Sequence, residues 1–122
     1  MMKLTVVYIL INSGYIIKKM RKEIQLIALD HSNDLYCIIG FGSFFQGKPF
    51  FNDIDLLFVG ISNENFQLYK ILKEKCSNLS SKFGINFDFN FLTKQEYREN
   101  LYLDIMNKKH TVIYLNQSHY EH

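Results

Sequence analysis

Cysteine is scarce in this chain: Cys37 and Cys76 are the two among 122 residues. They stand far apart, with no Cys-x-x-Cys and no Cys/His ligand spacing, which argues against a structural zinc site or a disulfide framework. Two buried free thiols in a reducing cytosol are the expectation. Proline occurs once, as Pro49, and glycine six times. No linker, repeat or low-complexity segment divides the chain, and Gly47 with Pro49 punctuates one loop. An excess of one charge is also missing. Fourteen Lys and Arg against twelve Asp and Glu leave a net +2, too balanced for a general nucleic-acid or membrane surface. Long apolar runs are lacking too. The stretch Leu4 to Ile11 behind Lys3 falls well short of the about 20 residues that span a bilayer. No small-residue cleavage site follows it, so it reads as a buried strand or the start of a helix.

What the chain does have is apolar and aromatic content. Hydrophobic residues make up 48% and aromatics 16%, chiefly eleven Phe and eight Tyr, enough to bury a core. The length suits a single domain over 1–122, since one core organises about 100–150 residues. Met20 opens "MRKEIQLIALD" as a plausible alternative start. Residues 1–19 are therefore expected to be an N-terminal decoration on a core of 20–116.

Ile16, Ile17, Met20, Ile24 and Ile27 recur at helical spacing, with Lys18, Lys19, Arg21 and Lys22 between them. This predicts an amphipathic helix ending near Asp30 to Asn33, its basic run being a solvated face. Leu35 to Phe41 reads as a short apolar strand. From Asp53 to Val59 the side chains alternate between two faces, and Gly60 ends the strand. Ser62 or Asn63 is expected to cap a helix carrying Phe66, Tyr69, Ile71, Leu72, Cys76, Leu79 and Phe83, with Gly84 at its C-cap. In "INFDFNFL" Ile85, Phe87, Phe89 and Phe91 share one face and Asn86, Asp88 and Asn90 the other, a half-buried strand with a polar side. Thr93 with Glu96 forms a capping box for a helix through Tyr97, Leu101, Ile105 and Met106. "TVIYL" from Thr111 then gives a last strand. The fold class is α/β, a small mixed sheet flanked by helices.

Chemistry concentrates in "GFGSFFQGKPFFNDIDLLFVG". Residues two apart on a strand point the same way, so Asp53 and Asp55 project together with Cα atoms about 6.5–7 Å apart. Two bare carboxylates that close repel, and need solvent or cations. Hard divalent ions such as Mg²⁺ take oxygen ligands and leave positions for phosphate oxygens. Asp88 is a third carboxylate, which converges with the pair if its strand is a neighbour. Gly42 and Ser43 stand where a strand is expected to give way to a helix N-terminus, and backbone N–H groups there suit an anion. A phosphate cradle beside a two-metal carboxylate cluster is equipment for phosphoryl or nucleotidyl transfer.

The ordered set of Gly-Ser, a spacer, Asp-x-Asp and a later lone Asp resembles the signature of the minimal nucleotidyltransferase domains of the DNA polymerase beta superfamily, over roughly residues 20–116. The resemblance implies that Gly42 and Ser43 contact a nucleotide triphosphate, that Asp53 and Asp55 ligate two Mg²⁺ ions, and that Asp88 helps bind the catalytic metal and assists deprotonation of the attacking hydroxyl. The chain departs from the pattern where relatives carry Arg-Gly, having Phe44, Phe45 and Gln46 before Gly47; Lys48 is either a substitute basic group or, as is more common for such a lysine, a solvated loop residue. Asn52 stands where relatives often have Ser. The family implies transfer of a nucleoside monophosphate, AMP from ATP, to an acceptor hydroxyl. Small domains of this kind are commonly antitoxins paired with a helical HEPN-type ribonuclease toxin. The implied partners are therefore ATP and such a protein in the cytoplasm, with neither membrane nor nucleic acid.

Blander readings stand beside this one. The three Asp can be unrelated strand-end residues, or a decayed site kept for binding. Phe44, Phe45, Phe50 and Phe51 are more easily packing groups than a base-stacking platform. His31, His110, His119 and His122 share no ligand spacing and read as surface residues. The alternatives in function are a non-catalytic antitoxin or interaction protein that neutralises a partner by binding, and a small-molecule nucleotidyltransferase.

Overall fold

The computed structural model describes residues 2–42, 44–45, 53–62, 65–101 and 110–116. Chain order is α1 (Met2–Asp30), β1 (Leu35–Phe41), β2 (Asp53–Gly60), α2 (Phe66–Phe83), β3 (Asn86–Thr93), α3 (Lys94–Glu96) and β4 (His110–Leu115). The strands make one mixed sheet in the order β3-β2-β1-β4. β1 pairs antiparallel with both β2 and β4, and β2 pairs parallel with β3. The expected α/β class with a mixed sheet flanked by helices is what the chain adopts, consistent with a small nucleotidyltransferase-like fold.

The stretch Leu4 to Ile11 belongs to α1 and not to a strand. In the described part of α1, Met20, Ile24, Ile27 and Ala28 are buried while Lys18, Lys19, Arg21 and Lys22 face solvent, the division that the helical spacing predicts. α2 starts later than expected. Its N-cap is Asn65, whose side chain accepts from the Leu68 N–H at 2.9 Å; Ser62 lies in a bend and Asn63 falls outside the described residues. The buried stripe of α2 is Leu68, Leu72, Cys76 and Leu79. Phe66 remains 66% exposed, with its ring stacked near Tyr69 and the Lys70 ammonium 4.9 Å from its centroid. Gly84 closes α2 at φ +66° and donates its N–H to the Ser80 carbonyl, a left-handed cap that glycine adopts without strain.

The sheet divides the core. On one face Ile38, Ile54, Leu56, Phe58 and Phe87 pack under α1 and α2 with Met20, Ile24, Leu68 and Leu72. On the other, Cys37, Ile39, Leu57 and Val59 pack against Tyr97. The Thr93–Glu96 capping box is present, but the helix that it opens is short. After Glu96 the backbone widens into a π-turn over Tyr97–Leu101, which swings Tyr97 onto the second face. Ile105 and Met106 lie outside the described residues. β4 is tied to the start of β1 through Asn116, whose N–H donates to Tyr36 O at 2.8 Å and whose amide donates to Ser32 O at 2.9 Å. Phe44 is buried and meets Phe45 edge to face at 4.8 Å, the packing role expected of it; Phe50 and Phe51 are outside the described residues. Both cysteines are free and buried, and burial pushes each thiol up to about 12. His31 is half-buried rather than on the surface, its Nε2 3.0 Å from Lys75 Nζ. His110 is half-buried against the Phe41 ring.

Phe58 is fully buried at the centre of β2, 5.5 Å from the Phe89 ring. Phe58→Ala is expected to lower unfolding free energy by about 3–5 kcal/mol, measured by denaturant titration. A loss well under half of that would mean the core closes over the gap.

Candidate functional site

Asp53 and Asp55 leave β2 on the face that carries Leu57 and Val59, because alternate residues of a strand share a side. The parallel register sets Asp53 opposite Asn86 and Asp55 opposite Asp88. All three carboxylates therefore stand together at one end of the face. Asp53 is exposed, and Asp55 and Asp88 are half-buried. Partial burial pushes the Asp55 carboxyl above the usual carboxylate range; a hydrogen bond shared with Asp88 and the negative charges of Asp88 and Asp53 act in the same direction. A carboxyl–carboxylate hydrogen bond needs a proton on one member, which is how a close pair of like charges settles without a cation.

Gly42 comes next to the same spot from β1. Phe41 pairs with Asp55, and Gly42 follows at φ +93°, in the region that glycine tolerates and other residues seldom occupy. A Cβ added at Gly42 would stand 3.4 Å from Asp55 Oδ2. The Gly42 carbonyl accepts the Phe45 N–H at 3.2 Å, so the chain turns sharply right beside the carboxylate. Ser43, Lys48 and Asn52 lie outside the described residues, as do His119 and His122.

One residue at the site had no role in the sequence reading. The Asn86 amide donates to Asp88 Oδ1 at 2.6 Å and approaches Asp53 Oδ1 at 3.5 Å. Its position two before Asp88, on the polar face, was the available signal. Among the described residues, no three His, Cys, Asp or Glu side chains gather at metal-ligand spacing. The donor set is nonetheless all oxygen, anionic and mutually repelling, which is the chemistry of a site for a hard divalent cation.

No protein-family model matches the chain, and no curated protein matches it. A solved structure described as a toxin–antitoxin with AMP-PNP contains a chain similar to this one, with a TM-score of 0.55 and 20% sequence identity over 80% of this chain and 75% of that one. At that identity the likeness bears on the fold. No helix among the described residues is long and apolar enough to cross a membrane.

Two outcomes follow from this geometry. Because Asp55 holds its proton to higher pH in the folded chain than its ordinary value of 3.8, its contribution to stability is full below that value and is lost as pH rises through the folded one. In chelator, Asp55→Asn is expected to be steadier than the parent at neutral pH, with the gap closing toward acid; parallel stability curves from pH 3 to 7 would contradict it. Gly42→Ala forces a side chain into a left-handed conformation at a cost of about 1–2 kcal/mol and crowds Asp55, so thermal unfolding should show a lower midpoint.

Proposed function

We propose that the protein is a metal-dependent nucleotidyltransferase that moves AMP from ATP to a hydroxyl on a partner protein, in the manner of the antitoxin of a cytoplasmic toxin–antitoxin pair. The observation that carries this reading is the parallel register that pairs Asp55 with Asp88 and sets Asp53 beside them, next to the Gly42 turn. The similar chain in a toxin–antitoxin structure with AMP-PNP supports both a protein partner and an adenine nucleotide.

Asp53, Asp55 and Asp88 would hold divalent cations, two Mg²⁺ by the resemblance, and bound cations would neutralise the charge on the phosphoryl oxygens. The chain's own groups do the rest. By the resemblance, Gly42 and Ser43 would contact the triphosphate. Asp88, at the open face, accepts the proton of the attacking hydroxyl. A bond forms between that oxygen and the α-phosphorus, the bond to the bridging oxygen breaks, and pyrophosphate leaves. Catalysis by proximity needs the nucleotide and the acceptor held together. The acceptor is therefore placed on a helical, HEPN-type toxin that docks over the Gly42 side.

A second reading, silencing by binding alone, draws on the Asn86 amide that separates Asp53 from Asp88. Co-expression with the partner and mass spectrometry separate the two. Transfer predicts a partner heavier by one AMP, on Tyr, Ser or Thr, and an Asp53→Asn, Asp55→Asn variant that leaves it unmodified and active. A partner that carries no nucleotide, silenced equally by parent and variant, would overturn the enzyme reading.

A further inference from the structure

We propose that Asn86 is a positioning residue of the carboxylate site: its amide fixes Asp88 and Asp53 so that their free oxygens are held ready for a divalent cation. This rests on the cation reading above. β2 and β3 carry the two acids on different strands, two residues out of step and so on the same face, since Asp53 faces Asn86 and Asp88 faces Asp55. Like charge drives such side chains outward to solvent, into separate rotamers. The Asn86 amide has two N–H donors, and the structure aims it at both acids, 2.6 Å from Asp88 Oδ1 and 3.5 Å from Asp53 Oδ1. A charge-assisted hydrogen bond to a carboxylate is a strong one. Each carboxylate oxygen has a second lone pair, and each acid a second oxygen, so the amide orients both groups without consuming their capacity to bind a cation. Asn86 is exposed and packs into neither apolar cluster. Its side chain is therefore not needed to build the strand.

The strand could have carried almost any polar residue at this place, as its exposure shows. A side chain with no N–H or O–H donor, or a further acid, would leave Asp53 and Asp88 free to part. Hydrogen-bond partners of metal-ligating groups contribute about 10- to 100-fold in metal affinity, which sets the size of the effect.

The test is calorimetric titration of the full chain with Mn²⁺ alone, which does not depend on finding an acceptor. Asn86→Leu keeps the shape and removes the amide; Asn86→Gln keeps the amide on a longer arm. Mn²⁺ affinity is expected to fall at least about 10-fold in Asn86→Leu and by less in Asn86→Gln, with the thermal midpoint of the metal-free protein nearly unmoved. In the metal-free parent, the Asn86 side-chain amide resonances should shift on Asp88→Asn, which a merely structural asparagine would not show. Asn86→Leu binding Mn²⁺ like the parent, or amide resonances indifferent to Asp88→Asn, overturns the positioning role and leaves the cation site standing. A parent that takes up no Mn²⁺ overturns both.

Discussion

The parallel pairing of β2 with β3 is the constraint on which the site depends. Side chains alternate along a strand, so a slip of one residue would send Asp88 to the face that α1 and α2 cover, among Phe58, Leu68 and Leu72. The register is held by that face: Ile54, Leu56 and Phe58 on β2 and Phe87, Phe89 and Phe91 on β3 leave no polar residue that could replace them there. Parallel neighbours also need a crossover, which α2 supplies. Its start at Asn65 and its stop at Gly84 set where β3 begins, and the Ser80 hydroxyl takes the Phe87 N–H at 2.8 Å to fix the entry. The apolar side of the molecule therefore sets the geometry of the polar side.

The second face shows how one strand serves two purposes. At the C-terminal end of β2, Leu57 and Val59 are buried under Tyr97; at the N-terminal end the same face carries Asp53 and Asp55. The π-turn after α3 brings Tyr97 over the first region. β2 is therefore apolar on both sides for half its length and split for the other half, which explains why it reads as a buried strand interrupted by two acids.

Elements with an unambiguous local signal were legible: the apolar stripe of α1, the Gly84 stop, the Thr93–Glu96 box and the alternation of "INFDFNFL". The convergence of Asp88 with Asp53 and Asp55 was legible as a conditional, since alternation gives the face and only tertiary pairing gives the neighbour. What failed to show had competing local solutions. Ser62, Asn63 and Asn65 are all good caps, and the choice of Asn65 followed from burying Leu68 rather than Phe66. The widening at Tyr97 has no sequence mark, because it answers to the hydrophobic face that Tyr97 must cover. Asn86 was placed on the correct face but its bonds need a partner strand to exist.

The presence of the three acids is not explained by folding. A half-buried position on a sheet facing other acids is steadier with a neutral or apolar side chain, since burial and the neighbouring acids push the Asp55 carboxyl up. Gly42 adds a second cost, a backbone at φ +93° that only a glycine holds without penalty, set against that same acid. A chain similar at 20% identity reaches a like fold, so the fold tolerates wide change in sequence. Residues that cost stability and cluster at one end of one face are what the proposed site for cation and phosphate would require. Local choices that run against stability mark function more reliably than those that agree with it.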